Sequence, residues 1–324
     1  MSATSSAAGK AEVAKSASGG GHGSGGGVTN PTSVNIVRVI VFSIVAVWLV
    51  PAVGLLVTSL RERGQIESNG WWTIFTNPLD FGWTLENYSQ VLTSGGFDTA
   101  FVNTLVVSVP ATVMPITIAA FAAYAFSWME FKGRYSLFVL VVALLVVPLH
   151  VALIPILRLY AGGPTFGIPF TELVVNIPLQ LNGTFLGIWL AHTGFGLPLA
   201  IYLLRNYIGS LPSELIESAR IDGADHYAIF TRLVVPLSVP ALASFAIFQF
   251  LWVFNDYLVA FVFLGNAQGS RVLTIALAAL NGSQGQAWHL LTAGAFVSMV
   301  LPMVVFFSLQ RFFVRGLTAG SVKG

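Results

Sequence analysis

Six long runs of apolar residues, each almost free of charge, set the limits on what this chain can fold into. They cover roughly Ile36–Ser59, Phe101–Trp128, Ser136–Leu159, Thr184–Tyr207, Leu237–Leu264 and His289–Phe313. A hydrocarbon layer about 30 Å thick takes about 20 helical residues to cross, and every run is long enough. The runs are continuous rather than alternating over about ten residues, so they predict helices and not barrel strands. Composition agrees. The chain is 55% hydrophobic and 9% charged, where a soluble domain carries about 25% charge. So little charge cannot cover a water-facing surface of 324 residues. The expectation is an all-α integral membrane protein with six transmembrane helices, its membrane domain spanning residues 34–314.

Other classes fall away on the same composition. The chain has no cysteine, which removes disulfides, thiolate metal sites and thiol nucleophiles. A formal charge of +2 gives no basis for nucleic-acid binding. No H-E-x-x-H cluster and no Gly-x-Ser-x-Gly elbow is present, so a membrane enzyme has little support. An ion- or proton-coupled carrier would carry internal repeats with interrupted helices, and no convincing repeat is visible.

Residues 1–33 are rich in Gly, Ser and Ala and cannot bury enough apolar surface to offset ordering entropy. They read as a disordered cytoplasmic arm. Placing the N-terminus inside puts 11 of the 15 Lys and Arg residues in the inner connections and ends, and four outside at Arg61, Arg63, Arg158 and Arg271. The positive-inside rule therefore predicts cytoplasmic termini. Several runs contain proline, at Pro51, Pro110, Pro115, Pro148, Pro155, Pro198 and Pro302. Each removes a backbone donor and bends its helix.

The connection between the fourth and fifth runs, residues 211–236, is the most informative segment. Its composition predicts a helix, a glycine break and a second short helix. Pro212 suits a first turn, and Glu214 and Glu217 lie near the positive helix end. Gly223 suits a left-handed stop, Asp225 can cap the next turn, and Pro236 opens the fifth run. Ser218 and Ala219 are small enough to let a partner approach the backbone.

This segment resembles the EAA loop of ABC importer permeases. Glu217, Ala219, Gly223, Leu233, Val235 and Pro236 match that pattern at the right spacing, with Ser218 in place of an alanine. Arg220, Ile221, Asp222, Ala224 and Phe230 strengthen the match. The resemblance extends over all six runs and points to the carbohydrate-uptake branch, which includes the six-span permease of the maltose transporter. It implies a subunit that forms half of a pathway for a sugar or oligosaccharide, an α-glucoside among the candidates. The loop, with Glu217, Ser218, Ala219, Asp222, Gly223, Ala224, Phe230 and Pro236, would then dock into a groove on a separate ATPase. The tail, residues 315–324, would reach between ATPase copies through Gly320 and Lys323.

The resemblance also implies the partners. These are a second homologous permease, two like or unlike ATP-binding subunits, an extracellular or periplasmic sugar-binding protein, and the bilayer of a bacterial or archaeal cytoplasmic membrane. The chain has no Gly-x-x-x-x-Gly-Lys-[Ser/Thr] phosphate loop of its own; its one Gly-Lys pair, Gly9-Lys10, is followed by Ala. It is therefore expected to bind no cofactor, with ATP and Mg held by the ATPase.

Polar groups inside spans default to functional candidates. Asn255-Asp256-Tyr257 resembles a segment common in sugar permeases, and with Gln249 it forms the candidate pathway set. Asp256 is expected near the outer end of the fifth span, where its carboxylate either meets sugar hydroxyls or satisfies a neighbouring helix. His150 and His192 are expected to form hydrogen bonds between helices.

Overall fold

A computed structural model describes residues 31–79, 81–93, 96–167, 174–176, 178–280 and 287–319. By contacts the chain separates after Val53 into two units. The first holds most of helix α1 (Pro31–Ser59). Its sequence is apolar on every face, the pattern of a helix made for an apolar surrounding on all sides.

The second unit is a helical bundle. After the end of α1 come α2 (Arg63–Ser68), a 3-10 turn (Trp71–Phe75) and α3 (Glu86–Thr93). The spans follow as α4 (Phe97–Trp128), α5 (Arg134–Leu144), α6 (Leu149–Gly162) and α7 (Phe185–Ile208). The loop carries α8 (Ser213–Ile221) and α9 (His226–Ile229), then a π turn (Phe230–Val234) leading into α10 (Val235–Phe254). The rest is α11 (Leu258–Leu264), α12 (Leu273–Leu280) and α13 (Trp288–Ala319). In the connection between α6 and α7, β1 (Thr165–Gly167) pairs antiparallel with β2 (Val174–Asn176), the one strand pair among the described residues.

Two expected spans are corrected. The third is not one helix: α5 and α6 meet at 102°. Pro148 caps the start of α6 in an extended conformation. It has no N–H to give Leu144, and it disfavours helical geometry at Val147. Five single helices are thus long and apolar enough to cross a membrane, and the bent pair makes the sixth when counted as one span. The fifth span also differs. It begins at His226 and runs unbroken for 29 residues to Phe254, and Leu258–Leu264 is a separate helix. Pro236 therefore sits inside a continuous helix. The π turn just before it opens the backbone where a proline ring would otherwise press on the carbonyl four residues back.

The bundle packs through α4, which lies against α7 and α10, while α10 also lies against α13. Small residues allow this. Ala119, Ala120 and Ala123 of α4 are buried with Ala200 of α7, and such residues let membrane helices approach closely. At Gly196 a Cβ would come within 2.7 Å of the Gln249 side-chain amide, so the glycine makes room for that amide between α7 and α10. Outside the spans, the Arg61 guanidinium is buried, lying 4.2 Å over the Phe81 ring and donating to the carbonyls of Phe81, Asn69 and Gln65. Burial holds it below its ordinary pKa. Asn87 donates to the carbonyls of Ser59 and Arg61, which ties α3 to the end of α1.

Candidate functional site: the interhelical loop and the polar break

The loop folds as its residues demand. Pro212 is the N-cap of α8, one position before the expected first turn, and Glu214 lies in that turn. At the other end Gly223 has φ +80°, a region open chiefly to glycine. Its N–H donates to Arg220 O, and the Ala224 N–H donates to Ala219 O at 2.9 Å. Those two bonds together are the Schellman closure of a helix. Asp225 then caps α9, its carboxylate accepting from the Ala228 N–H at 2.7 Å.

The loop is anchored to the bundle from one side. Ile216, Ile229, Phe230 and Val234 are buried in one core with Tyr124, Leu204 and Ile208. Phe230 stacks on Phe121 at 4.5 Å. Tyr124 Oη and His226 Nδ1 lie 2.9 Å apart, and an Arg220 Nη donates to Trp128 O at 3.0 Å. The opposite side is free. Glu217, Ser218 and Asp222 are exposed, beside large exposed apolar groups at Leu215, Ile221 (86% exposed) and Tyr227.

Of the expected loop residues, Glu217, Ser218, Asp222 and the Gly223 turn thus share the solvent side, with Ala219 and Ala224 partly buried behind them. Phe230 belongs to the core, and Pro236 is exposed farther along, on α10. Gly320 and Lys323 lie outside the described residues. Sequence reasoning missed the anchors Ile216, Ile229, Tyr124 and His226. The spacing of Ile216 and Ile229 on either side of Gly223 is the one sequence signal for them.

The polar candidates of the fifth span do not form one surface. Gln249 is fully buried; its amide donates to Ala111 O at 3.2 Å and links α10 to α4. Asn255 bonds back to Leu251 O of its own helix. Tyr257 is exposed and stacks on Phe261 at 5.6 Å. Asp256 sits in the break between α10 and α11, where its carboxylate accepts from the N–H groups of Val259 at 3.3 Å and Ala260 at 2.8 Å. Thr274 donates to the Asp256 carbonyl, so α12 holds the same turn. His192 Nε2 lies 3.8 Å from the Asp256 carboxylate, too far for a hydrogen bond. His192 is buried beside Trp252, and among the described residues neither of its nitrogens has a hydrogen-bond partner. His150 is exposed on α6 rather than placed between helices.

Residues 115–319 match the family described as "Binding-protein-dependent transport system inner membrane component". The chain is 57% identical over 288 residues to the osmoprotective compounds uptake permease protein GgtD of Synechocystis, covering 89% of this chain and 91% of that one. It is 56% identical over 270 residues to the alpha-glucoside transport system permease protein AglG of Rhizobium meliloti, covering 83% and 67%. A bacterial ABC transporter that imports the acidic polysaccharide alginate contains a chain of the same fold, with TM-score 0.65 and 21% identity over 86% of this chain and 96% of that one. The long apolar helices and these matches have one reading: this chain belongs to the inner membrane components of binding-protein-dependent transport systems, and is a multi-pass permease rather than the ATPase of such a system.

Proposed function

We propose that this permease forms half of the pathway by which a sugar, oligosaccharide or small α-glucoside enters the cell, driven by a separate ATPase. The names of its relatives at 56–57% identity support the solute class. Its partners are a second permease, a pair of ATP-binding subunits that hold ATP and Mg, and an external solute-binding protein. Both termini are cytoplasmic. Residues 1–33 form an arm, 34–314 the membrane domain with the docking loop at 211–236, and 315–324 a tail that reaches the ATPase through Gly320 and Lys323.

The observation that carries this reading is the two-sided loop. One side is locked to α4 and α7 through Ile216, Ile229 and Phe230, so a push on the other side moves the spans. That other side combines a carboxylate, Glu217, with exposed Leu215, Ile221 and Tyr227, which is the mixture a protein interface uses. ATP-driven closure of the ATPase pair pushes the loop, the paired permeases turn outward, and hydrolysis returns them. Asn255 and Tyr257, both exposed, are the candidates for the outer part of the path; Asp256 caps the turn between them, and Gln249 holds the bundle behind.

The test is Glu217→Ala in the purified complex, reading retained ATPase, hydrolysis stimulated by the binding protein, and solute uptake. A hydrogen bond to a charged group contributes roughly 1.5–3 kcal/mol, so docking should weaken about tenfold or more. Wild-type values for all three would end the docking role of this residue. Orientation has its own test, made clean by the absence of cysteine. Ser213→Cys should be protected from an impermeant thiol reagent in intact cells, and Ser68→Cys should react.

A further inference from the structure

The ends of α4, α5 and α7 next to the docking loop enclose a second polar site. A cavity of about 270 Å³ is lined by Ser127 at the end of α4, Arg134 at the start of α5, and Arg205, Asn206 and Ser210 at the end of α7. It adjoins a cavity of about 460 Å³ that shares Ser127 and Arg134 and also includes Glu130 and Arg220. Helix ends mark the level where spans leave the hydrocarbon, so both arginines sit at the depth of the lipid headgroups.

The two guanidinium groups are held and yet left without an anion. Arg134 donates one Nη to Met129 O at 3.0 Å. The Arg205 guanidinium lies 4.8 Å over the Phe138 ring, and its enclosed Nε has no acceptor among the described residues. Among the described residues, neither has a carboxylate within salt-bridge distance. The hydroxyls nearby are spent as donors, Ser127 to Arg205 O and Ser210 to Tyr207 O, and they offer only lone pairs. A pair of guanidinium forks matches the oxygens of a phosphoryl group.

We infer that Arg134 and Arg205 hold the phosphoryl group of an anionic phospholipid at the end of the bundle, one short contact away from the docking loop. That proximity comes from Trp128, which adjoins Ser127 and accepts from Arg220 of α8. Basic pockets between membrane helices on the cytoplasmic side take anionic headgroups for the same electrostatic reason. Placing this end at the inner leaflet rests on the orientation proposed above; the chemistry of the site does not.

The test uses the whole transporter complex, delipidated in detergent, titrated separately with phosphatidylglycerol, phosphatidylcholine and inorganic phosphate. Bound lipid is counted by native mass spectrometry and the thermal midpoint is read in parallel. Phosphatidylglycerol should bind and raise the midpoint, and phosphatidylcholine should bind much more weakly. Arg134→Gln and Arg205→Gln should each weaken phosphatidylglycerol roughly tenfold or more, and the double variant should lose it. Arg205→Lys, which keeps the charge but not the fork, should fall between and covers the case in which the double variant fails to assemble. Arg38→Gln is the charge-matched control and should bind as wild type.

Equal binding of the two lipids, unchanged binding in both single variants, or equal loss in the Arg38 control would each overturn the site. Inorganic phosphate reproducing the full effect would overturn the lipid and leave free phosphate as the occupant. Detergent has no inside or outside, so failure here is independent of the Ser213 labelling. An inverted topology would move the site to the other leaflet without abolishing it.

Discussion

Asp225 and Asp256 perform the same task in two different solvents. Each follows a helix that has stopped, and each uses its carboxylate to accept from backbone N–H groups of the next helix. Asp225 is exposed, and water can replace it. The Asp256 side chain is 12% exposed and lies beside buried His192, where an orphaned N–H has nowhere else to go. Identical capping chemistry is therefore a minor convenience in the loop and a structural requirement in the span. It follows that a polar residue inside a membrane helix need not be there for the cargo.

The largest effect is expected at the buried cap. Asp256→Ala leaves two backbone donors unsatisfied, each costing about 1–3 kcal/mol, and assembled complex should fall sharply in size-exclusion and thermal assays. Asp256→Asn retains an acceptor and should assemble nearly as wild type. Uptake in that variant then separates the roles, because a transport defect in a well-assembled Asn variant assigns the charge to solute. Normal assembly of the Ala variant would remove the difference between the two aspartates.

Next comes the turn before the exposed cap. Gly223 has open space around the position of a Cβ, so substitution meets backbone strain alone. Gly223→Val should cost about 1–2 kcal/mol, and Gly223→Asn distinctly less, in thermal unfolding of the complex. A larger loss for Asn than for Val would show that the partner surface, not φ, governs the position.

Asp225→Ala should cost about 1 kcal/mol, visible as a small drop in thermal midpoint with assembly intact. The smallest expected effect on stability is Glu217→Ala, close to zero, since that exposed side chain has no partner among the described residues. Its consequence belongs to ATPase retention and uptake. A marked fall in thermal midpoint in the isolated permease would make Glu217 a fold residue instead.

The loop was legible because each of its signals is local. Gly223, Asp225 and Pro212 act on their own φ, ψ or next few N–H groups, so spacing alone predicts the turn. The break at Asp256 was not legible, since no proline or glycine marks it and Asn255-Asp256-Tyr257 could as well have continued a helix. The break in the third span lay between these cases. Pro148 was visible, but proline permits a kink or a full turn; the 102° bend goes with the packing of Leu153 and Ile156 among residues of α7 and α11, which no local signal encodes.

The sequence by itself determined the helical class, the apolar surroundings of the long helices and the local turns of the loop, because hydropathy, length and turn residues act over one helix or less. Only the tertiary structure decided which polar side chains face a possible path and which serve the bundle. Gln249 points to Ala111 and Gly196, His192 is sealed beside Trp252, and Arg134 and Arg205 come together across 71 residues of sequence. The physical reason is common to all three. Inside an apolar medium a polar group is defined by the partner it finds, and that partner stands on another helix.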